Sequence, residues 1–444
     1  MKKRFLYGLL STLLAINLLI GAQIYSTRVE AAAKDDAYPN IELFTRVMET
    51  IRQNYVDGNK VSYQDLIYGA LKGMVNTLDP HSEFMEPVKF TEMRHDTEGQ
   101  FGGVGIIVGV KPGPGGGGLS VIGPMEDTPA SRAGLMAGDR IIKIGGKSTE
   151  KFTLEDAVKR LRGPAGTEVE VTVLRPSNNK EFEVKLTRAV IKVDTVKDLK
   201  ARREFPVGED GIGYIRIRQF GEQTSNELED ALKKLEKQGM KALVLDLRDN
   251  PGGLLDQAVK VCEKFLPRNQ LIVSTEGRAS SEGARYVSSG KAQHPHLPMV
   301  VLVNGFSASA SEIVSGCLQD VKRAIIVGEQ TFGKGSVQSI LPMQDGTALR
   351  LTTAKYYTPS HKVIHEKGIT PDILVPMSDE EVRLVSLKRA PGGTEFLEPK
   401  DRAAAENAHD LQLDRAVDLL KGITLYQKEV QPTKAPATKK VAAQ

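Results

Sequence analysis

The chain has 444 residues, with 60 Lys+Arg against 56 Asp+Glu for a formal net charge of +4, 40% apolar residues, 42 Gly, two Cys and no Trp. This composition is globular and excludes collagen-like, intrinsically disordered and disulfide-stapled classes; at roughly 100–200 residues per domain the length supports several cores. Three of the four net charges lie at the start, where Lys2, Lys3, Arg4 and Arg28 face only Glu30, so the remainder is nearly neutral and offers no basic face for nucleic acid.

Residues 1–33 combine that positive start with an apolar run from Phe5 to Tyr25 and an Ala31-Ala32-Ala33 cleavage site. This pattern predicts an export signal. The run is also about the ~20 residues that span a bilayer, so an uncleaved signal anchor that holds the protein to the membrane is the alternative. The expected location is the bacterial periplasm or the outer face of the cytoplasmic membrane. Cys262 and Cys317 form no disulfide framework and read as two unlinked buried thiols.

Residues 34–97 predict helices: Ile41, Leu43, Phe44, Val47, Met48 and Ile51 recur at helical spacing, as do Leu66, Ile67, Ala70, Leu71 and Met74. They would cap an enzyme or pair two copies in a homo-oligomer. Residues 98–190 switch to short β runs and glycine turns. Gly103-Val104-Gly105-Ile106 leads into one strand, Leu119–Ile122 is its hairpin partner across a turn rich in glycine, and Thr153–Arg162 predicts a helix before the strand Val169–Leu174. Residues 191–378 alternate strand and helix: strands at Gly213–Ile217, Ala242–Leu247, Met299–Val303 and Ala324–Val327, and helices at Ser225–Gln238, at Leu254–Leu266 and from near Ser309. Repeated units of this kind predict an α/β domain. Residues 379–427 return to helix. Residues 428–444 form an Ala/Lys/Pro/Thr tail too polar and simple to pack, and their four Lys against Glu429 leave residues 34–427 slightly acidic.

One motif misleads. Gly328-Glu-Gln-Thr-Phe-Gly333-Lys334 nearly spells a phosphate-binding loop, but that motif needs a hydroxyl residue after the lysine and must open a helix. Here Gly335 follows, and Ser336–Ile340 leads toward β-type alternation. A lysine held between two glycines needs another purpose. Upstream, Asn304-Gly-Phe-Ser307-Ala-Ser309-Ala310-Ser311 is a small-residue turn between a strand and a helix, where a nucleophile is exposed beside backbone N–H groups. Asp249-Asn250-Pro251-Gly252-Gly253 ends another strand, and two such turns can supply an oxyanion hole. By spacing alone Ser307, Ser309 and Ser311 are equal candidates.

The phrases "GDRIIKI" and "RGPAGTEVEVTVLRP" resemble those of a bacterial PDZ domain. That resemblance implies a groove for an extended C-terminal peptide, with the glycine loop Gly103, Val104, Gly105 and Ile106 holding its carboxylate. "DLRDNPGGLLDQAV", "VNGFSASASEIVSGCLQD" and "GEQTFGKGSVQ" resemble the carboxy-terminal processing (tail-specific) serine proteases, as do "LDPHSEFM" at 78–85, "TTAKYYTPS" at 352–360, "KGITPDILVP" at 367–376 and "LQLDRAVDLLKG" at 411–422. The family resemblance implies a crotonase-like α/β protease core with an inserted PDZ domain and helical N- and C-terminal segments. It also implies Ser309 as nucleophile, Lys334 as general base, Gln338 orienting the lysine, and oxyanion donors from Ala310 and Gly253, with Gly252 the alternate. Arg162, at the end of the PDZ helix, is the expected relay from PDZ domain to active site.

A lysine must shed its charge to act as base. Burial disfavours the ammonium, and Phe332, Val337 and Ile340 are the apolar residues expected to provide it. The expected partners are protein substrates with apolar C-terminal tails and an adaptor protein, with no cofactor and no metal. A Ser-His hydrolase using His365, which lies in a strand-like run, is one alternative, and a non-catalytic PDZ scaffold another. The pairs His361/His365 and His294/His296 lack a nearby third ligand, and Asp320 reads equally as a helix-end residue or a catalytic one.

Overall fold

Two all-apolar runs, Ala242–Leu245 and Met299–Val303, set the centre of the molecule, because a strand apolar on both faces must be covered on both. In the computed structural model, which describes residues 37–111, 118–125, 127–278, 283–290, 294–389, 394, 397 and 399–430, the chain divides into two units, Met1–Phe84 and Met85–Gln444. The signal region, the tip of the glycine-rich hairpin turn and the tail from residue 431 lie outside the described residues.

The first unit contains the helices Ala37–Asn54 and Tyr63–Asn76. Ser62 caps the second by accepting the Asp65 N–H at 3.1 Å. The first buries none of its residues, and Ile41, Leu43, Phe44 and Val47 are exposed. Among the described residues no helix is long and apolar enough to cross a membrane.

The second unit opens with the β-rich block. Gln100–Gly103 pairs antiparallel with Ala189–Lys192, and between them a sheet runs Ile106–Lys111, Gly118–Pro124, Arg140–Ile144, Glu168–Arg175, Lys180–Thr187 in spatial order. Val121, Ile141, Ile144, Val171 and Val173 fill its core beneath the helix Leu154–Leu161. Thr153 and Asp156 form a capping box at that helix start. At its end, Arg188 donates to the Arg160 carbonyl at 2.7 Å and the Leu161 carbonyl at 3.2 Å.

The α/β domain is built on a six-stranded sheet ordered Val196–Lys197, Ile212–Ile217, Ala242–Asp246, Met299–Val303, Ile325–Gly328, Ile373–Leu374, parallel except at the first pairing. Alternate residues face opposite ways. Leu243, Leu245, Val301 and Val303 pack with the helices Thr224–Lys237, Leu255–Glu263 and Ala310–Asp320. Val244, Val300, Leu302 and Val327 meet Ala416 and Leu420 of the C-terminal helix Leu411–Val430. Cys262 and Cys317 are buried and unlinked. A second sheet joins Leu271–Gly277, Ala284–Val287, Ser336–Pro342 and Ala348–Tyr357 antiparallel.

The charge at the end of the strand Ala242–Asp246 is fully paired. Asp246, with no exposure, receives Arg248 Nη2 at 2.6 Å and the Tyr214 hydroxyl at 2.6 Å. Arg248 reaches Asp410 at 2.9 Å and Gln412 at 3.0 Å, and Arg389 closes on Asp410. The C-terminal segment is therefore clamped to the strand that feeds the Asp249–Gly253 turn. Burial raises the Asp410 carboxyl, but the Arg248 hydrogen bonds and the Arg248 and Arg389 charges outweigh it and hold it below its usual 3.8. Asp410→Ala is expected to cost about 1.5–3 kcal/mol in urea unfolding, because it removes charge-assisted hydrogen bonds from Arg248 and Arg389 while Asp246 still holds Arg248. In the wild type this stabilisation is full above the ordinary carboxylate range and is lost as pH falls through the lowered folded value.

Candidate active site

Two neighbouring parallel strands end in the two turns the sequence singles out, and the turns lock together. Asn250 donates Nδ2 to the Ile217 carbonyl at 2.8 Å, its Oδ1 accepts Gly252 N–H at 2.9 Å, and its carbonyl accepts Ala308 N–H at 3.0 Å. Gly252 has φ +101° and backs directly onto the serine turn: a methyl there would lie 2.7 Å from the Ala308 carbonyl oxygen and 2.7 Å from Ser309 Cβ. Gly253, at φ +144°, would place one 2.3 Å from the Phe220 carbonyl oxygen. Both positions accept only glycine.

The three serines separate clearly. Ser307 is fully buried and donates to the Leu247 carbonyl at 2.8 Å; Ser311 is fully buried and donates to the Asn250 carbonyl at 3.0 Å. Ser309 is half-buried, and among the described residues nothing accepts its hydroxyl proton. Its backbone sits at φ +54°, ψ −112°, a strained conformation costing about 1–3 kcal/mol that presents the side chain at the head of the helix Ala310–Asp320. The Ala310 and Gly253 N–H groups have no acceptor among the described residues. The Gly252 N–H is committed to Asn250, which leaves Gly253 as the glycine donor.

Glu312, which sequence reasoning passed over, holds the site together. With no exposure it accepts four hydrogen bonds: Ser309 N–H at 2.8 Å and Lys334 N–H at 2.9 Å on Oε2, Gly333 N–H at 2.7 Å and the Thr331 hydroxyl at 2.5 Å on Oε1. The Thr331 oxygen itself accepts Ile369 N–H at 2.6 Å, so its proton points to Glu312. Burial raises the Glu312 carboxyl, and the four donors oppose that. Every neighbour is a donor, so the ionised form alone satisfies them all. Its sequence signal is the S-x-x-E spacing from Ser309, a capping box.

Lys334 stands between glycines because backbone passes close on both sides. A methyl on Gly335 would meet His365 N at 2.1 Å, and Gly333 at φ +91° lies against residues 366–368. Lys334 is half-buried, and burial followed by the Arg350 charge lowers its amine below the ordinary 10.5. Phe332 does not contribute as expected: it is 61% exposed, held outward by its N–H bond to the Ser307 carbonyl at 3.1 Å. Val337 packs on the core and Ile340 is half-buried. Gln338 Nε2 donates to Ser336 Oγ at 2.8 Å and Thr352 Oγ1 at 3.4 Å.

The other expectations resolve structurally. Asp320 accepts Ser360 N–H at 2.9 Å and Lys362 Nζ at 3.0 Å, tying a helix end to a loop. His365 lies in a loop, where a strand was expected, and its Nε2 approaches Glu366 at 3.8 Å. Among the described residues no group of His, Cys, Asp and Glu is arranged to hold a metal. In the β-rich block the strand Ile106–Lys111 is a sheet edge with contacts to the helix Leu154–Leu161. The Val104 and Gly105 carbonyls accept Ala130 N–H at 3.0 Å and Met125 N–H at 2.9 Å, and Gly105 takes φ +76° against Thr128. Arg162 stacks 4.4 Å from the centre of the Phe101 ring, on the strand that leads into this loop.

Residues 211–375 match peptidase family S41, residues 121–175 a PDZ domain, and residues 17–88 the activating protease CtpB N-terminal domain. The α/β domain with its strained serine turn is thus that of a serine peptidase carrying a PDZ domain. The chain is 43% identical over 379 residues to the carboxy-terminal-processing protease of Bartonella bacilliformis, covering 84% of this chain and 83% of that one. It is 33% identical over 377 residues to the carboxy-terminal processing protease CtpB of Bacillus subtilis, covering 84% and 76%. The solved photosystem II D1 C-terminal processing protease is 31% identical, with a TM-score of 0.43 over 79% of this chain and 98% of that one. This chain belongs to the carboxy-terminal-processing proteases of peptidase family S41, a multidomain α/β architecture.

Glu312→Ala leaves three backbone N–H groups and a hydroxyl without their acceptor. It is expected to cost about 3 kcal/mol in urea unfolding and to cut labelling of Ser309 by a fluorophosphonate probe about tenfold or more, since small misplacements of a nucleophile are costly. Gly252→Ala, which forces backbone apart at φ +101°, is expected to lower both readouts as well.

Proposed function

We propose that this protein is an exported serine endopeptidase that cuts proteins whose C-terminal tails dock on its PDZ domain, using Ser309 and Lys334 as a dyad. The observation that carries the reading is the shared carboxylate. Glu312 binds the backbone N–H of both Ser309 and Lys334, and Ser309 is the one serine of its turn whose hydroxyl proton is not already given to a carbonyl.

The neutral Lys334 amine takes the Ser309 proton as Oγ attacks the scissile carbonyl. The negative charge on the former carbonyl oxygen is received by the unengaged N–H groups of Ala310 and Gly253. The lysine then protonates the leaving amine, and a water, deprotonated by the same lysine, releases the acyl group. Gln338 offers its Oε1 to the lysine, the end of its amide not engaged by Ser336 and Thr352. A neutral orienting group does not restore the ammonium as a carboxylate would. The substrate tail adds as a strand to the free edge Ile106–Lys111, its carboxylate at the loop of Gly103, Val104, Gly105 and Ile106. Arg162, stacked on Phe101, relays occupancy of that loop.

The test is cleavage of an unfolded protein ending in an apolar tail. Wild-type protein is expected to cut it with or without chelator, while Ser309→Ala and Lys334→Ala lose at least about 10³-fold in kcat/KM. Cleavage that persisted in Lys334→Ala but vanished in His365→Ala would replace the dyad with a Ser-His pair. The acidic limb of the kcat/KM profile reports the lysine losing its proton, so it is expected below the ordinary lysine value of 10.5. Arg350→Gln removes a charge that lowers this value and is expected to move the limb to higher pH. Arg162→Ala is expected to abolish stimulation by a free apolar tail peptide.

A further inference from the structure

The carboxyl ends of parallel strands are where ligands of open α/β sheets bind. Here that edge holds, beside the nucleophile turn, a cleft of about 290 Å³ whose wall includes Arg216, Arg218, Arg248, Arg389, Asp249 and Asn304. Most of its charge is committed. Arg248 and Arg389 are paired with Asp246 and Asp410, and Lys197, also on the wall, bonds Asp194 at 2.7 Å. The acids are occupied too: Asp198 accepts the N–H groups of Lys200 and Arg202, and Glu329 that of Met377.

Two donors remain. Arg216 gives Nη2 to Asp249 at 2.7 Å, but its Nε is buried without an acceptor. Arg218, two residues on, lines the same cleft, is exposed and makes no side-chain hydrogen bond among the described residues. Burial, then the Arg216 charge, push the Arg218 guanidinium below its ordinary value against the opposing pull of the Asp249 carboxylate. Asp249 offsets part of the repulsion between the two guanidiniums, and the unbonded planar fork of Arg218 fits a further carboxylate.

The cleft is near the chemistry. Asp249 is three residues before Gly252, a span of at most about 11 Å of chain, and a Cβ on Gly252 would stand 2.7 Å from that of Ser309. We propose that this cleft is an anion subsite for the polypeptide being cut, taking the carboxylate of an Asp or Glu side chain a few residues from the scissile bond on the guanidinium of Arg218, with the Arg216 charge behind it. The assignment rests on the protease reading above, since cleavage is what brings polypeptide carboxylates to this edge. A free inorganic anion shares the chemistry, and the experiment separates the two.

The full chain is assayed on a set of peptides in which one Gln is replaced by Glu at each position in turn around the cleaved bond. One Glu position is expected to raise kcat/KM about fivefold over its Gln counterpart at low salt. That ratio is expected to fall to about one in Arg218→Gln and to be partly retained in Arg218→Lys, which keeps the charge but loses the fork. Equal Glu-to-Gln ratios at every position in the wild type, or a preference unchanged in Arg218→Gln, overturns the subsite. So does a melting temperature raised by inorganic phosphate in the wild type and not in Arg218→Gln without any Glu preference, which would assign the cleft to a free anion. Failure of the wild type to cut any peptide, Gln or Glu, overturns the protease reading itself.

Discussion

A single buried carboxylate governs the geometry of the site. Glu312 is the residue through which the serine turn and the lysine loop, separated by more than twenty residues of chain, share one reference point. Because it binds the backbone of Ser309 and Lys334 and not their side chains, it fixes where the two residues start while leaving the hydroxyl and the amine available. A side-chain contact would have engaged the hydroxyl or the amine itself. The strain at Ser309 depends on the same bond, since a residue at φ +54° persists only where its surroundings over-determine it.

The scaffold behind this arrangement works by closing off alternatives. Asn250 and Ser311 stitch the glycine turn to the serine turn, so Gly253 and Ala310, whose N–H groups have no acceptor among the described residues, sit on turns held together by construction and not by adjustment. The Asp246–Arg248–Asp410 network then fixes the base of the glycine turn from the other side. Burying such charges is no gain over an apolar core of the same shape. What it provides is a fixed direction for the chain as it leaves the strand.

Much of this was legible in the sequence. The βα alternation gave the α/β domain because buried strands and amphipathic helices differ in period, and the phrases around Ser309 and Lys334 marked the two loops. Spacing alone left Ser307, Ser309 and Ser311 equal, since what separates them is which carbonyl each can reach, and Leu247 and Asn250 become neighbours of the turn only through the sheet. Glu312 escaped notice because an acidic residue in the first turn of a helix ordinarily signals solvent and the helix dipole. Here three of its four donors come from the loop twenty residues later. Phe332 was expected to shield the lysine because it is apolar and adjacent, yet successive residues in an extended loop point to opposite sides. His365 resembled a strand residue in an alternating run, but close packing against Gly335 holds that segment as a loop.

The C-terminal helix carries a further consequence. It alone supplies Ala416 and Leu420 to the face of the central sheet formed by Val244, Val300, Leu302 and Val327, and the segment just before it supplies the partners of Arg248. On the ribosome every strand and both the serine and lysine loops emerge before the element that covers them. The sheet thus spends its synthesis with one greasy side bare and with Arg248 holding Asp246 but lacking Asp410 and Gln412, and the core closes only when this helix arrives.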